Sequence, residues 1–254
     1  MAWRCVTPTL STSHHRLDWP EYIPLFKQYR SLSLVSTSNA QRRPLAWASW
    51  QQTIYPGAPC DLYRFNPRPG KYLAFLGSLS LDQGLGRASE LAKRAQLPLR
   101  FASRLGSSER LPLSIPTELI PNQGVEWLGE LREEEVDDFS GEASLSSAPN
   151  SWPDPSGRFV AEALACGTPV VAFHGGVAAE MIYDHVTGFA CESLDEMVDV
   201  LPLIANLDRR ECRAAFEKRF SAERMTDRYL QLYERLISAA RPPRLSNDLS
   251  LQVV

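Results

Sequence analysis

The chain has 254 residues, of which 44% are hydrophobic and 22% charged, a balance that is ordinary for a soluble globular protein. A formal net charge of −3 and a pI near 5.9 give no basic surface for nucleic acid or for an anionic membrane. The composition therefore predicts a globular protein and favours neither of these partners.

The five cysteines are too scattered for a disulfide framework or a zinc site. Their number is odd and no C-x-x-C pair occurs, which is typical of a reducing compartment. The amino-terminal segment lacks the apolar core of a signal peptide, and no run approaches the ~18 apolar residues that span a bilayer. We therefore expect a cytoplasmic protein without a transmembrane segment.

In chain order, the first clear pattern is a strand, a helix and a second strand. Tyr72–Gly77 and Leu97–Ala102 are apolar runs, and the segment between them is apolar on one helical face. That face consists of Leu85, Ala88, Leu91, Ala92 and Ala95. This order predicts a parallel βαβ unit.

The alternation of strands and helices continues to residue 191. The later elements are a strand at Val125–Leu128, an acidic helix at Arg132–Phe139, the run Ala143–Ala148, a helix after Gly157, a strand ending at Phe173, a short helix at Val177–Tyr183 and an extended piece at Phe189–Cys191. The run Ala143–Ala148 is so rich in serine that we expect it to pack poorly. The alternation predicts an α/β fold with a doubly wound parallel sheet.

Three helices follow, and a polar tail ends the chain. Ser193 and Asp208 are predicted caps of the first two helices. The aromatic residues predicted to lie in the core of this region are Phe216, Phe220, Tyr229 and Tyr233. The tail, residues 241–254, contains two prolines, and we expect it to be disordered.

The segment 152–173, WPDPSGRFVAEALACGTPVVAF, carries most of the chemical information. Gly157 leaves room for a ligand close to the backbone, and the helix that starts there presents N–H groups that attract phosphate. Asp154 precedes this start, and Glu162 lies about two turns into the helix, where a carboxylate can accept hydrogen bonds from two vicinal hydroxyls. This layout suits a sugar nucleotide.

The same segment resembles a known family. Asp154-x7-Glu162 followed by ACGTPV (165–170) resembles the E-x7-E motif and strand entry of the retaining glycosyltransferases of family 4, with Asp replacing the first Glu. Further collinear segments that resemble the family are TSHHRLD (12–18), STSNAQR (36–42), TIYPGAP (53–59), YLAFLG (72–77), EWLGE (126–130), GGVAAE (175–180) and TGF (187–189). The resemblance covers most of residues 10–238.

The resemblance implies a GT-B fold and transfer from a nucleoside-diphosphate sugar to an unknown acceptor, with no cofactor and no metal. It places Glu162 on the ribose, Asp154 on the sugar hydroxyls and the backbone of Ser156 and Gly157 at the phosphate. The other implied site residues are His14, Gly77, Ser78, Gln83, Thr168 and Glu180. Simpler roles remain open: Asp154 as a helix cap, Glu162 as a solvent-facing helix residue, Glu180 as a structural cap or ion-pair partner, and His14 as a surface residue.

The resemblance also divides the chain. It implies a remnant of the acceptor-side domain at 1–68, a nucleotide-sugar-binding Rossmann-like domain at 69–220, a terminal crossover helix at 221–240 and the tail at 241–254. Only the end of the family's first domain is matched. Either the gene is shortened, or a partner chain supplies the rest.

The phosphate site departs from the family's pattern. The family has G-R-x4-K after the strand equivalent to Tyr72–Gly77, whereas this chain has Ser78 and Gln83 in place of the two cations, with Arg104 as the credible substitute. The loss of two charge-assisted hydrogen bonds is worth several kcal/mol, at roughly 1.5–3 kcal/mol each. Three alternatives therefore stand: an active enzyme, an inactive homologue that binds a nucleotide or a partner, and a truncated gene product.

Overall fold

The computed structural model describes residues 8–68, 70–77, 84–104, 124–148 and 157–240. The strands in this part of the chain are β1 (Ser11–Ser13), β2 (Leu34–Ser36), β3 (Trp50–Thr53), β4 (Leu73–Leu76), β5 (Leu99–Arg104), β6 (Val125–Leu131), β7 (Leu145–Ala148), β8 (Val170–Phe173) and β9 (Gly188–Cys191). The helices are α1 (Tyr22–Gln28), α2 (Asn39–Arg42), α3 (Gly86–Ala95), α4 (Glu133–Gly141), α5 (Arg158–Ala165), α6 (Val177–Met181), α7 (Leu194–Ile204), α8 (Arg209–Arg219) and α9 (Ala222–Ala240), and a 3-10 turn spans Arg43–Leu45. The tail 241–254 lies outside the described residues.

The larger sheet is parallel, with the strand order β6-β5-β4-β7-β8-β9. Helices cover both of its faces, α3 and α7 on one and α4, α5 and α8 on the other. Successive residues of β4 alternate between the two: Leu73 and Phe75 pack toward α3, and Ala74 and Leu76 toward α5. This architecture confirms the predicted doubly wound α/β fold.

The expectation that Ala143–Ala148 packs poorly is wrong. β7 lies between β4 and β8, and Ser146 and Ser147 are fully buried. Parallel ladders on both sides satisfy its backbone, and the helices supply the apolar cover, so small side chains suffice. The hydroxyls of Ser146 and Ser147 have no hydrogen-bond partner among the described residues.

The smaller sheet has the order β1-β2-β3 and is also parallel. Helix α9 leaves the end of α8 and packs on this sheet, where Leu232 lies against Val35 and Ile54. The hydroxyls of Thr12 and Tyr229 are 2.9 Å apart across the same contact. The last long helix therefore joins the two sheets, as a crossover helix would.

The predicted caps of the carboxy-terminal helices are confirmed. The Ser193 hydroxyl accepts a hydrogen bond from the Glu196 N–H at the start of α7, and the Asp208 carboxylate accepts one from the Arg210 N–H at the start of α8. Phe216 and Phe220 are buried as predicted, but Tyr233 is 46% exposed and does not belong to the core. Among the described helices, none has the length and apolar character needed to cross a bilayer.

Candidate functional site

The topology of the larger sheet puts its switch point between β4 and β7, the place where a fold of this type has its ligand crevice. The chain leaves β4 through α3 on one face of the sheet and leaves β7 through α5 on the opposite face. Where neighbouring parallel strands send their connections to opposite faces, the carboxyl ends of the strands separate and a ligand can enter. Gly77 follows β4 at this point and Gly157 starts α5 there, so two of the predicted site residues lie at the crevice.

Gly157 is required by the local packing. Its φ is +64°, in the left-handed region that favours glycine. A Cβ at this position would overlap the sulfur of Met181 and would lie 3.1 Å from Val177. The glycine therefore allows α5 to begin close against α6, a reason that the sequence alone did not reveal.

Glu162 lies in the middle of α5 and is fully buried, in a cluster of four polar side chains. Its carboxylate accepts a hydrogen bond from Arg158 Nε at 2.9 Å and one from the Tyr63 hydroxyl at 3.0 Å. Glu133, the first residue of α4, pairs with the same guanidinium and lies 2.9 Å from the same hydroxyl. Tyr63 and Glu133 were missed in the sequence, since neither belongs to a motif.

The surroundings keep the two donors of this cluster, Tyr63 and Arg158, protonated. Burial raises the pKa of Tyr63, and Glu162 and Glu133 raise it further, so the phenol keeps its proton. Burial lowers the pKa of Arg158, but the two carboxylates and Tyr63 outweigh it and the net shift is upward. The cluster thus has two carboxylates as acceptors and one guanidinium and one phenol as donors.

Glu180 connects the two sheets. Its carboxylate accepts hydrogen bonds from the backbone N–H groups of Asn39 at 2.8 Å and Ala40 at 2.5 Å, at the start of α2, and from the Tyr55 hydroxyl at 2.8 Å. Burial raises the pKa of Tyr55, and Glu180 raises it further. Because α2 follows β2 and α6 follows β8, the carboxyl edges of the two sheets face each other across this contact. The geometry gives Glu180 the structural role that the sequence left open.

His14 is exposed just after the end of β1, at the facing edge of the smaller sheet. A second link across the two edges lies nearby in the fold, where Arg43 Nη1 donates to the carbonyl of Gly175 at 2.6 Å. The predicted active-site histidine is therefore at the edge that faces the crevice side of the larger sheet. Its catalytic role stays a prediction.

Thr168 does not fit a donor site. It precedes β8 at the amino end of the strands, and it is fully buried. Its hydroxyl donates to the Ser140 carbonyl at 2.7 Å and accepts from Arg209 Nη2 at 2.6 Å. The residue anchors α8 to the amino edge, opposite the crevice, so the role that the family resemblance implied for it does not match its position.

A cavity of about 680 Å³ opens at this amino edge. Leucine side chains supply much of its wall, among them Leu97, Leu145 and Leu201, and Arg209 closes one end. The guanidinium of Arg209 donates hydrogen bonds to the Thr168 hydroxyl and to nearby backbone carbonyls. Among the described residues that line the cavity, the carboxylate is that of Asp208, which caps α8, whereas the carboxylate pair of Glu133 and Glu162 lies at the start of α4 and on α5, so we place the candidate site at the carboxyl edge.

The remaining predictions fall at the limits of the description. Ser78, Gln83, Asp154 and Ser156 lie outside the described residues, and so does the side chain of Arg104. Their roles stay predictions. Arg87, in the first turn of α3, has its guanidinium 5.1 Å from the ring centre of Phe173 at the end of β8, so it lies at the carboxyl edge too.

Comparisons with known proteins identify what this fold is similar to. The sequence profile of the glycosyl transferases group 1 matches residues 65–219. A Klebsiella pneumoniae protein described as an uncharacterized 42.6 kDa protein in the cps region is 26% identical over 164 residues, covering 65% of this chain and 41% of its own length.

Solved structures show the same architecture. AviGT4, a glycosyltransferase involved in avilamycin A biosynthesis, superimposes with a TM-score of 0.64 at 24% identity, covering 81% of this chain and 64% of its own. Anabaena HepE in complex with UDP and glucose gives a TM-score of 0.69 at 17% identity, covering 89% and 71%. At these identities the likeness shows the GT-B fold. This chain spans less than two thirds of the length of the Klebsiella protein and of AviGT4.

Proposed function

Because the matched profile covers more than half of the chain, this protein belongs to the glycosyl transferases group 1 family, and we propose that it binds a nucleoside-diphosphate sugar in the crevice between β4 and β7. The observation that carries the proposal is the position of Glu162. It lies on the helix that starts at the topological switch point, with a second carboxylate, Glu133, beside it. A ribose offers two vicinal hydroxyls as donors to such a pair.

The proposed reaction is sugar transfer with retention of configuration, as in the family-4 enzymes that the motif resembles. The bond between the anomeric carbon and the diphosphate oxygen breaks, and the acceptor oxygen forms a bond to that carbon on the same face. The acceptor proton passes to the leaving phosphate, so no separate base is required. Amide groups at the start of α5 stabilise the negative charge of the leaving group, and Asp154 is the proposed partner of the sugar hydroxyls.

A second candidate function is nucleotide binding without efficient transfer. The observation that favours it is the sequence Gly77-Ser78 to Gln83, where the family has an arginine and a lysine for the diphosphate. Because each charge-assisted hydrogen bond is worth roughly 1.5–3 kcal/mol, their loss slows departure of the leaving group more than it weakens binding of the nucleoside.

Calorimetric titration with UDP and GDP, and with their glucose and mannose conjugates, tests the binding. We expect at least one of these ligands to bind with a micromolar Kd. The variant Glu162→Gln should raise that Kd at least tenfold, because the NH2 group of glutamine is a donor where the ribose hydroxyl needs an acceptor. The matched control is Glu134→Gln. Glu134 is the neighbour of Glu133 on α4, but its side chain is 65% exposed and paired with Arg132, so this variant should leave the Kd unchanged.

The two candidate functions separate in a second measurement. Release of UDP from UDP-glucose, or of GDP from GDP-mannose, reports bond breakage even where the acceptor is unknown. Release that is lost in Glu162→Gln supports transfer, and tight binding without release supports the binding-only alternative. A folded protein that gives no heat with any of the ligands would contradict the proposed function.

A further inference from the structure

The guanidinium of Arg158 has an unusual position in the cluster around Glu162. Arg158 is the first residue of α5, so its backbone lies at the crevice, and its side chain pairs with both Glu162 and Glu133. The side chain is 47% exposed, whereas that of Glu162 is 0% exposed. Arg158, together with Glu133 at 37% exposure, therefore forms the solvent-exposed side of this ion-paired set, with Glu162 behind them.

The charges of the set do not favour a diphosphate as they stand. Glu133, Glu162 and Arg158 together carry a net charge of −1, and the loop after β4 contributes Ser78 and Gln83 instead of cations. A diphosphate brings about two further negative charges and needs a cation with several donors, which a guanidinium provides in bidentate form. The cation must therefore come from a residue other than those at positions 78 and 83.

We propose that Arg158 is the diphosphate-binding cation of this site. When the nucleotide binds, the ribose hydroxyls replace the Arg158 guanidinium as partners of Glu133 and Glu162, and the guanidinium moves to the diphosphate. This inference rests on the proposed function and names the residue that compensates for Ser78 and Gln83. Two vicinal hydroxyls supply the hydrogen bonds that the carboxylates lose, and the Tyr63 hydroxyl remains between them. The released guanidinium then faces the same helix start whose amides attract phosphate.

Exchange of this kind couples the two halves of the nucleotide. Uridine alone must displace Arg158 from the carboxylates and offers the guanidinium nothing in return. UDP displaces it in the same way and then binds it through the diphosphate. The ratio of the Kd for uridine to the Kd for UDP measures the contribution of the diphosphate, and the change in that ratio when Arg158 is replaced measures the share of Arg158, independently of how well the site folds.

The test is titration of the full chain with UDP and with uridine in four proteins: the unmodified chain, Arg158→Gln, Arg158→Lys and Arg132→Gln. We expect Arg158→Gln to raise the Kd for UDP at least tenfold while the Kd for uridine stays the same or falls, so that the ratio drops at least tenfold. Arg158→Lys retains the charge but not the bidentate geometry and should restore part of the ratio. Arg132→Gln, an exposed arginine just before α4, should change neither Kd.

Other results overturn the inference. Equal rises of both Kd values in Arg158→Gln would mean a structural role, and equal falls would mean that Arg158 only blocks the carboxylates. An unchanged ratio would place the diphosphate on another cation, such as Arg87. If the unmodified chain binds neither UDP nor uridine, both the proposed function and this inference are wrong. If the chain binds UDP but the ratio of the two Kd values is the same in Arg158→Gln, only this inference is wrong.

Discussion

At the scale of single residues, Gly157 shows how packing and ligand binding can demand the same amino acid. The sequence pattern suggested that a side chain here would obstruct a ligand. In the structure, the left-handed backbone and the contact with Met181 already require glycine. Both requirements act at the start of α5, so the residue cannot be assigned to ligand binding on its identity alone.

We predict that Gly157→Ala lowers the free energy of unfolding by about 3 kcal/mol, from ~1–2 kcal/mol of left-handed strain plus a similar overpacking term. Gly129→Ala is the matched control, because Gly129 has a φ of +84° but nothing within 4 Å of an added Cβ. That variant should lose only about 1 kcal/mol, the strain term. Urea unfolding of both measures the difference, and equal losses would contradict the packing argument.

The residues of the candidate site were predictable to different degrees. Glu162 could be found from its spacing to Asp154, and the structure places it at the switch-point helix. Tyr63 lies in the connection between the two sheets and Glu133 at the start of α4, so the fold alone brings them to Glu162. No local pattern marks such residues, because their proximity depends on the strand order and not on sequence separation.

At the scale of secondary-structure elements, β7 shows the limit of hydrophobic patterns. The strand was located correctly in sequence, but its packing was misjudged because serine replaces the expected branched residues. Its backbone pairs with β4 on one side and β8 on the other, and that position in the sheet keeps it buried. Periodicity finds elements, whereas the burial of a polar strand follows from its neighbours in space.

Two serines of this region should respond to mutation with opposite signs. Ser146→Ala removes a buried hydroxyl that has no partner among the described residues and should stabilise the protein by about 1 kcal/mol. Ser144→Ala removes a hydroxyl that donates to the Tyr72 carbonyl at 2.8 Å and should destabilise it by about 1 kcal/mol. Thermal unfolding should show shifts of about 2–4 °C in opposite directions. Shifts of the same sign would show that the hydrogen-bond assignments do not control stability here.

At the scale of the whole molecule, the two parallel sheets present their carboxyl edges to each other. Glu180 and Arg43 hold the edges together, and α9 closes the arrangement from behind by packing on the smaller sheet. The alternation of strands and helices was enough to predict the larger sheet. The contact between the sheets was not predictable in detail. The sequence left Glu180 open between a donor-site role and a structural cap, and its partners Asn39 and Ala40 are 141 and 140 residues away.

The carboxyl edge and the amino edge of the larger sheet each offer a place where a small ligand could bind. One is the crevice between β4 and β7, and the other is the cavity of about 680 Å³ at the amino edge, between α3 and α7. The carboxylate pair, the start of α5 and the divergence of the connections favour the first.

The most direct test of this account is amide hydrogen exchange, followed by mass spectrometry, with and without UDP. We predict slower exchange in peptides that contain the start of α5 and in those around Tyr63, with no change in the peptides spanning Leu201–Arg209 that line the amino-edge cavity. Protection confined to Leu201–Arg209, with α5 unaffected, would contradict a nucleotide site at the carboxyl edge.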